Sequence, residues 1–328
     1  MDLSVVFLGT GGSVPSARRA TACVLIRSGG ARILVDAGEG AQRQMINSTG
    51  LVQVDDVYIT HFHADHYLGL PGLLKTYDLM ERQAPLRVVG PPGLIALFDA
   101  LRRIFGKLRY EVEPIELEPG EAVGHDGFEM RAFAVEHRMR ALGFAYVEPQ
   151  RPGRFNVEAA RSLGITDPHD YGRLQRGETV PADGSEIRPN QVMGEPRQGR
   201  KVVITGDTAP CEMTRIAAHA AQLLVHDGTF AIEESVRAME TGHSVAREAA
   251  RLAAEAEVEM LAIVHVSSRY NVSAVLDEAR SVFPNTFAPR DFDLVEIPFP
   301  ERGQPRLVEN GARERPDSVP ATGSDLGE

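Results

Sequence analysis

Short apolar runs separated by glycine-rich turns fill the first half of the chain. Such runs predict buried strands, and apolar residues that recur every three or four positions predict helices packed on one face. We predict strands over 4–8, 22–27, 31–35, 57–60, 86–89, 110–117, 128–136 and 142–147. Helices are predicted over 41–48, 68–83 and 94–104. The first half is therefore expected to be mainly a sheet with a few helices.

The second half alternates strand and helix more regularly. Strands are predicted over 201–205, 222–225 and 260–264, and helices over 211–220, 244–257 and 273–283. In both halves apolar strands end in histidine or aspartate, at His61, Asp207, His226 and His265. Two packed sheets with helices outside gather such strand ends at one edge. We therefore predict an α/β sandwich with its site at the common edge of the two sheets.

Two segments differ from the rest of the chain. Residues 148–200 have no sustained apolar period, and they contain eight arginines and eight acidic residues. Within them, 157–163 is typical of a helix and 182–185 of a hairpin turn. We therefore predict one domain over 1–302, which includes 148–200 as a projecting insertion. The polar residues 303–328, rich in proline and glycine, are predicted to be a disordered tail.

Composition narrows the class of protein. Hydrophobic residues make up 43% of the chain, an ordinary globular value. We see neither an apolar run of membrane-spanning length nor a signal peptide, and Cys23 and Cys211 cannot form a disulfide framework. These features favour a reducing cytoplasm. The net charge of −11 counts against a nucleic-acid partner, although a local basic patch or a bound metal overrides it.

The basic residues are almost all of one type. Three of the 35 basic residues are lysine, which leaves 32 arginines. Arginine suits bidentate phosphate contacts, but a GC-rich genome explains the same bias equally well.

The segment His61-Phe62-His63-Ala64-Asp65-His66 carries the strongest chemical signal. It lies between a predicted strand and a predicted helix, where α/β folds place their sites. His61 and His63 alternate and can face one ion, while Asp65 and His66 can face a second. Imidazole and carboxylate ligands without thiolate suit zinc or a similar ion, and open positions would make the site catalytic. This spacing makes a chance cluster on a loop a poor alternative.

Three more strand ends supply the remaining ligands. His137, Asp207 and His265 each follow a predicted strand, and singly each is explained as well by a buried polar role. Together, beside the histidine segment, they complete two sets of ligands. One ion is predicted to take His61, His63 and His137, the other Asp65, His66 and His265, with Asp207 bridging. Two such cations activate a shared water and stabilise charge on a substrate oxygen.

The chain resembles the metallo-β-lactamase superfamily and, within it, the ribonuclease Z family of tRNA 3′-processing endonucleases. The histidine segment indicates the superfamily, whereas 36–45 and 265–270 point to the tRNA-processing family. Asp167-Pro168 stands where the family has a Gly-Pro motif, and 226–229 reads His-Asp-Gly-Thr where the family often has His-Glu-Ala-Thr. The matching segments are 7–12, 34–45, 61–69, 205–208, 226–230, 242–244 and 265–270.

The resemblance implies a fold, a reaction and partners. The family fold is an αββα sandwich that binds two zinc ions per subunit, with manganese or another divalent ion possible. Its members use a metal-bridging hydroxide to cut the 3′ trailer from precursor tRNA after the discriminator nucleotide, which leaves a 3′-hydroxyl on the tRNA. Asp65 matches the family's proton acceptor, and 148–200 matches a flexible arm that grips tRNA. Family members are homodimers in which one subunit's arm serves the other's site.

Supporting roles are predicted for residues near these motifs. His243, at the start of a helix, is predicted to protonate the leaving 3′-oxygen, although an ordinary helix-start histidine explains it equally well. Asp36 and His226 are predicted to orient ligands without binding metal. The candidates for holding a phosphate are Ser267, Arg269 and one of Arg18 and Arg19, although surface ion pairs explain these arginines equally well.

Two other functions remain open at this point. A hydrolase of the same fold that acts on a thioester, lactone, sulfate ester or small cyclic phosphodiester would use the same metals. The insertion 148–200 argues against it, because a small substrate does not need a projecting segment of that length. A non-enzymatic RNA- or protein-binding module with a relict site would not need all seven ligands. The sequence therefore favours an endoribonuclease that processes tRNA.

Overall fold

The strands form two large sheets and a separate hairpin in the computed structural model, which describes residues 2–182 and 184–311. In chain order they are β1 (Leu3–Gly9), β2 (Cys23–Ser28), β3 (Ala31–Val35), β4 (Asp56–Tyr58), β5 (Leu86–Gly90), β6 (Val112–Glu116), β7 (Ala122–His125), β8 (Phe128–Ala134), β9 (Leu142–Val147), β10 (Val180–Ala182), β11 (Ser185–Ile187), β12 (Lys201–Ile204), β13 (Leu223–Asp227), β14 (Leu261–Val264), β15 (Thr286–Phe287), β16 (Leu294–Glu296) and β17 (Arg306–Val308).

The helices lie between these strands. They are α1 (Ala41–Ile46), α2 (Ala64–Tyr67), α3 (Leu70–Leu79), α4 (Leu94–Phe105), α5 (Val157–Ser162), α6 (Pro168–Gln175), α7 (Glu212–Ala218), α8 (Ser235–Thr241), α9 (Ala246–Glu255) and α10 (Val272–Arg280). Short 3-10 turns cover Pro189–Gln191, Ile232–Glu234 and Pro300–Arg302. No helix in the described part of the chain is long and apolar enough to cross a membrane.

The two large sheets each contain a parallel half. The first sheet has the order β17-β16-β1-β2-β3-β4-β5-β6, in which β3 to β6 run parallel. The second has the order β15-β14-β13-β12-β9-β8-β7, in which β12 to β15 run parallel. Parallel strands joined through helices send their carboxyl ends to one edge of each sheet. That edge holds the functional side chains described below.

Alternation along the strands builds three apolar layers. In β1, Val5 and Phe7 face the second sheet, whereas Val6 and Leu8 face the helices that cover the first. A third layer packs the second sheet against α7, α9 and α10. Because both faces of each sheet are covered, the strands read as continuous apolar runs rather than as alternating patterns. The layers confirm the predicted αββα sandwich.

The helix faces follow the sequence periodicity. In α4 the buried residues Leu94, Phe98, Leu101 and Phe105 are spaced by three or four, which puts them in one stripe. In α9 the buried stripe consists mostly of alanine, with Leu252 as its largest member. Small side chains let α9 lie close to the second sheet.

Several boundaries differ from the prediction. The predicted helix over 68–83 is the shorter α3, which a separate one-turn helix, α2, precedes, and the strand β7 was not predicted. The predicted tail over 303–328 starts too early, because β17 pairs antiparallel with β16 at the edge of the first sheet. Residues 312–328 of that tail lie outside the described residues.

The insertion 148–200 packs around its own small core. The helices α5 and α6 and the hairpin β10–β11 enclose an apolar cluster whose members all lie between 155 and 192. The predicted hairpin is present, with Asp183 of its turn outside the described residues. Asp167 caps α6, since its Oδ1 accepts the His169 N–H at 2.8 Å, and Pro168 fills the first helical position. Aspartate at the family's glycine position therefore starts this helix.

Candidate active site

The predicted ligands meet where the two sheets share an edge. His61 and His63 follow β4 of the first sheet, and Asp65 and His66 lie in α2 directly after them. The remaining predicted ligands, which follow β8, β12 and β14 of the second sheet, are His137, Asp207 and His265. The structure therefore brings all seven residues together from five elements of the fold.

The first group of donor atoms fits one tetrahedral ion. His63 Nδ1 lies 3.0 Å from His61 Nε2 and 3.2 Å from His137 Nε2. Asp207 Oδ2 lies 3.7 Å from His61 Nε2. An ion with bonds of about 2.0–2.1 Å separates its tetrahedral ligands by roughly 3.3–3.4 Å. The four side chains are therefore spaced as ligands of a single ion would be.

The second group shares Asp207 with the first. Asp65 Oδ2 lies 3.5 Å from His66 Nε2 and 3.3 Å from His265 Nε2. Asp207 Oδ1 lies 3.4 Å from His66 Nε2, and Asp207 Oδ2 lies 3.4 Å from His265 Nε2. His66 Nε2 is buried and has no hydrogen-bond partner, so its lone pair is available to a metal ion. The arrangement fits two neighbouring ions with Asp207 between them.

Three of the imidazoles are oriented through their other nitrogen. Asp36 Oδ2 accepts a hydrogen bond from His66 Nδ1 at 2.7 Å, and the Gly242 carbonyl accepts one from His137 Nδ1 at 2.7 Å. His265 Nδ1 lies 2.8 Å from the Thr229 hydroxyl. These contacts leave the Nε2 atoms to face the predicted metal positions. Asp36 has the contact predicted for it.

Backbone geometry at the centre is unusual. Asp36 and His265 have φ values of 59° and 63°, in the left-handed region that non-glycine residues rarely adopt. Gly206, with φ of 64°, brings Asp207 to the first sheet, because a Cβ there would lie 2.8 Å from the Thr60 side chain. Rare backbone conformations therefore occur at the residues that carry the functional groups, as is common at active sites.

Burial and charge set the protonation of the ligands. Burial lowers the pKa of His61 to about 2, so this imidazole is neutral and offers a lone pair. Burial also acts to lower the pKa of both His66 and His265, but the surrounding carboxylates together outweigh it: Asp207 and Asp36 for His66, and Asp207, Asp65 and Asp227 for His265. The pKa of His66 is therefore well above its usual value, and that of His265 is raised to about 9. An ion that binds the second group competes with these protons.

His243 pairs with an aspartate that the sequence analysis did not select. Its Nδ1 donates to Asp227 Oδ2 at 2.7 Å, and its ring stacks on that of His265 with centroids 5.2 Å apart. Burial lowers the pKa of His243, but the hydrogen bond and the charge of Asp227 outweigh it, so the pKa is raised. Thr229, which contacts His265, also donates to Asp227 Oδ1 at 2.6 Å. Asp227 thus connects His243 to a predicted ligand.

His226 does not have the orienting contact that was predicted for it. Its Nδ1 donates to the carbonyl of Asp227 at 2.8 Å, and its Nε2 is buried without a partner. Successive residues of a strand face opposite sides, so Asp227 faces the centre while His226 faces the helix layer with Leu224. The residue beside the predicted one therefore makes the contact.

The predicted phosphate contacts have mixed outcomes. The Arg19 guanidinium is occupied by contacts within the fold. Its Nη1 donates to the Thr10 hydroxyl at 2.5 Å and to the Pro289 carbonyl at 2.6 Å. Arg269 is exposed and lies 3.6 Å from Glu234. Ser267 and Arg18 line a groove of about 1540 Å³ that begins beside the centre. Of the four, these two face open space beside the centre.

Comparison with known proteins gives a consistent picture. The family model described as the metallo-β-lactamase superfamily matches residues 17–139. The ribonuclease Z of Methanosarcina acetivorans is 44% identical over 303 residues, which cover 90% of this chain and 99% of that protein. The ribonuclease Z of Archaeoglobus fulgidus is 43% identical over 307 residues, which cover 92% and 100%. The ribonuclease Z of Myxococcus xanthus is 44% identical over 285 residues, which cover 86% and 93%.

Solved structures show the same fold. Human tRNase Z, short form, matches with a TM-score of 0.66 and 26% identity, covering 90% of this chain and 99% of that chain. The metallo-β-lactamase-fold protein YhfI from Bacillus subtilis matches with a TM-score of 0.67 and 19% identity, covering 90% and 100%. The second likeness is one of fold alone.

Proposed function

We propose the reaction of this chain from one premise: the chain belongs to the ribonuclease Z family of the metallo-β-lactamase superfamily. It is a tRNA 3′-processing endoribonuclease that acts on precursor tRNA. The proposed cut follows the discriminator nucleotide, releases the 3′ trailer and leaves a 3′-hydroxyl on the tRNA. One observation supports this chemistry most directly: two groups of side chains that are spaced to hold metal ions lie on either side of the Asp207 carboxylate.

The two groups suit two zinc ions, and manganese or another divalent ion is compatible with the same imidazole and carboxylate donors. When bound, such ions supply an activated water and positive charge beside the phosphate. The proposed ligands of one ion are His61, His63 and His137, those of the other are Asp65, His66 and His265, and Asp207 belongs to both.

Asp65 is proposed to accept the proton of the attacking water. Its Oδ2 accepts the backbone N–H of Ser13 at 2.8 Å and lies 3.3 Å from His265 Nε2, so the carboxylate is fixed in place. Burial acts to raise the pKa of Asp65, but the hydrogen bond to His265 and the charge of His66 outweigh it and lower the pKa. The carboxylate is therefore ionised at neutral pH, as a proton acceptor must be.

His243 is proposed to give a proton to the leaving 3′-oxygen. As the water oxygen bonds to phosphorus, the bond from phosphorus to the 3′-oxygen breaks. The water proton passes to Asp65, and His243 protonates the 3′-oxygen. Asp227 supports this role because it holds His243 Nδ1 at 2.7 Å and leaves Nε2 available to the substrate.

The insertion 148–200 is proposed to be an arm that binds the body of the tRNA. It leaves the end of β9 and returns at the start of β12, whereas Asp207 follows the other end of β12. At about 3.3 Å per residue, the arm starts roughly 20 Å from its own metal centre. This separation supports a homodimer in which each arm serves the site of the partner. The free thiols of Cys23 and Cys211 support the proposed cytoplasmic location.

Cleavage of a precursor tRNA with a 3′ trailer, followed on a denaturing gel, tests the proposal. The protein is loaded with zinc or manganese, and wild type is compared with Asp65→Ala. The matched control is Asp99→Ala, since Asp99 is 64% exposed on α4 and lies outside the site. Wild type and control should give one cut after the discriminator nucleotide, and Asp65→Ala should give none. Absence of cleavage with every metal, together with turnover of a small ester, would reject the proposal in favour of another hydrolase.

A further inference from the structure

The arm joins the body between two neighbouring strands. β9 and β12 pair antiparallel with Val147 opposite Lys201, and residues 148–200 are inserted at that pair. Glu148 and Arg200 close the root, because the Glu148 N–H donates to the Arg200 carbonyl at 2.9 Å. Arg200 Nε also donates to Glu148 Oε2 at 2.9 Å, and the Arg200 side chain is only 1% exposed. The root is therefore firmly attached to the sheet.

The arm continues from this root as a narrow ribbon. Arg151 and Arg197 form the next rung, with N–H to carbonyl distances of 2.8 and 2.9 Å in the two directions. Glycine is needed where the two chains touch, because a Cβ on Gly199 would lie 2.3 Å from the Glu148 carbonyl oxygen. A two-stranded ribbon has little stability alone, so its direction depends on further contacts.

Those contacts come from a segment near the end of the described chain. The Phe299 ring packs against two guanidinium groups, with Arg151 Cζ 3.7 Å and Arg200 Cζ 4.0 Å from its centroid. Glu301 accepts from Arg151 Nη1 and Nη2, both at 2.8 Å, and from Arg197 Nη1 at 2.9 Å. Phe299 and Glu301 thus contact both strands of the ribbon from the body side.

The rest of the arm packs on itself. Its apolar cluster contains only residues between 155 and 192, so its folding energy does not come from contact with the sandwich. A segment with its own core can change direction at its root without unfolding. The contacts of Phe299 and Glu301 are therefore the ones placed to fix its direction.

We propose that Phe299 and Glu301 are positioning residues that set the direction of the arm and, through it, the register in which precursor tRNA meets the metal centre. This inference rests on the proposed function, because it assumes that the arm holds the tRNA. A small phosphodiester makes no contact with the arm, so its hydrolysis does not depend on these residues. Phe299 and Glu301 therefore affect the cleavage of precursor tRNA but not that of a small phosphodiester.

Kinetics with two substrates test the proposal on the full-length, metal-loaded protein. The variants are Phe299→Leu and Glu301→Gln, and the probes are a precursor tRNA and bis(p-nitrophenyl) phosphate. We expect kcat/KM for the tRNA to fall about tenfold in Phe299→Leu, mostly through KM, the size expected for two cation–ring contacts. Turnover of the small diester should stay unchanged. Phe299→Tyr should cleave tRNA at the wild-type rate, because it keeps the aromatic ring that the two guanidinium groups contact.

The matched control is Glu296→Gln. Glu296 lies on the neighbouring strand β16 and pairs with Arg306 at 2.6 Å, away from the arm. The Glu296→Gln variant should cleave precursor tRNA with the same kcat/KM as wild type. Equal losses on both substrates, or no loss on tRNA, would overturn the proposed role.

A distance measurement tests the direction of the arm without any substrate. Spin labels at Gln175→Cys in α6 and Glu240→Cys in α8, in a Cys211→Ser background, report the separation of arm and body. The remaining Cys23 is 1% exposed and is not labelled. The distance distribution should broaden in Phe299→Leu and stay as in wild type in Glu296→Gln; an unchanged distribution in Phe299→Leu would contradict the proposal. If wild type does not cut precursor tRNA, the proposed function fails, and these labels still decide whether the two residues fix the arm.

Discussion

Asp36 holds the imidazole of His66 through a hydrogen bond of 2.7 Å between Oδ2 and Nδ1. The same carboxylate accepts the N–H of Thr60 at 2.8 Å and its hydroxyl at 2.9 Å, so its position is fixed by the first sheet. The pairing of β3 with β4 therefore fixes the orientation of the His66 ring, a proposed metal ligand.

Replacement of this carboxylate should weaken metal binding. In Asp36→Asn only one oxygen remains to accept three hydrogen bonds, so His66 is no longer held in one orientation. We expect zinc affinity to fall about tenfold to a hundredfold, as is usual when such a partner is lost. Competition with a chromophoric chelator measures this. Asp126→Asn, in an exposed turn, is the control, and equal affinities in the two variants would contradict the prediction.

Asp227→Asn should impair protonation of the leaving group by His243 without impairing the attack by water. Without the carboxylate, the His243 ring is no longer held in one orientation. Its protonated form also loses the negative charge that stabilises it. We expect the rate of tRNA cleavage to fall by about 10²–10⁴, the range for loss of a general acid. Bis(p-nitrophenyl) phosphate should be affected little, because p-nitrophenolate leaves without a proton. A parallel loss on both substrates would show that Asp227 supports the metals instead.

Gly12→Ala should displace His265. A Cβ on Gly12 would lie 2.6 Å from His265 Nδ1 and 2.7 Å from its Cε1, which is closer than real contacts allow. We expect loss of metal from the second group and a large fall in activity, measured as metal per chain by mass spectrometry. Gly30→Ala is the matched control, because nothing lies within 4 Å of the added atom. Full metal content in Gly12→Ala would mean that the loop moves freely.

His226 should make the fold sensitive to acid. Burial lowers its pKa in the folded state, so the unfolded chain binds the proton more readily. Stability is therefore lost as the pH falls below the unfolded value of about 6.5. We expect His226→Leu to reduce the loss of unfolding free energy between pH 7 and 5.5 by roughly 1 kcal/mol. Urea denaturation at several pH values measures this; parallel curves for both proteins would refute it.

Removal of the arm should affect activity on precursor tRNA but not activity on a small phosphodiester. Replacing residues 150–198 with a short linker leaves β9 and β12 paired, since their rungs lie outside the deletion. We expect cleavage of precursor tRNA to be abolished and hydrolysis of bis(p-nitrophenyl) phosphate to be retained. Equal loss of both activities would remove the case for an arm that acts on tRNA alone.

The sequence predicted best what local spacing determines. His61, His63, Asp65 and His66 are close in the chain, so their grouping needs no knowledge of the fold. The three distant candidates were selected because each ends an apolar strand, and parallel strands end at one edge. Asp227 was missed because a single sequence does not reveal which of two neighbours on a strand faces the site. Only the pairing of β13 within the sheet decides that.

Short elements were missed for a different reason. The strands β15, β16 and β17 have two or three residues each, and they form because neighbours in space complete their hydrogen bonds. The helix α6 is polar and has little apolar period. Its start was nevertheless visible in the sequence, because Asp167 before Pro168 is a capping pair.

The left-handed backbone of Asp36 and His265 exposes a conflict between stability and activity. A residue in this conformation costs about 1 kcal/mol or more relative to glycine. Glycine at either position would relax the backbone and at the same time remove a group from the centre. Random mutation combined with selection for thermal stability alone should therefore favour loss of these two side chains, and their presence is a mark of selection for turnover.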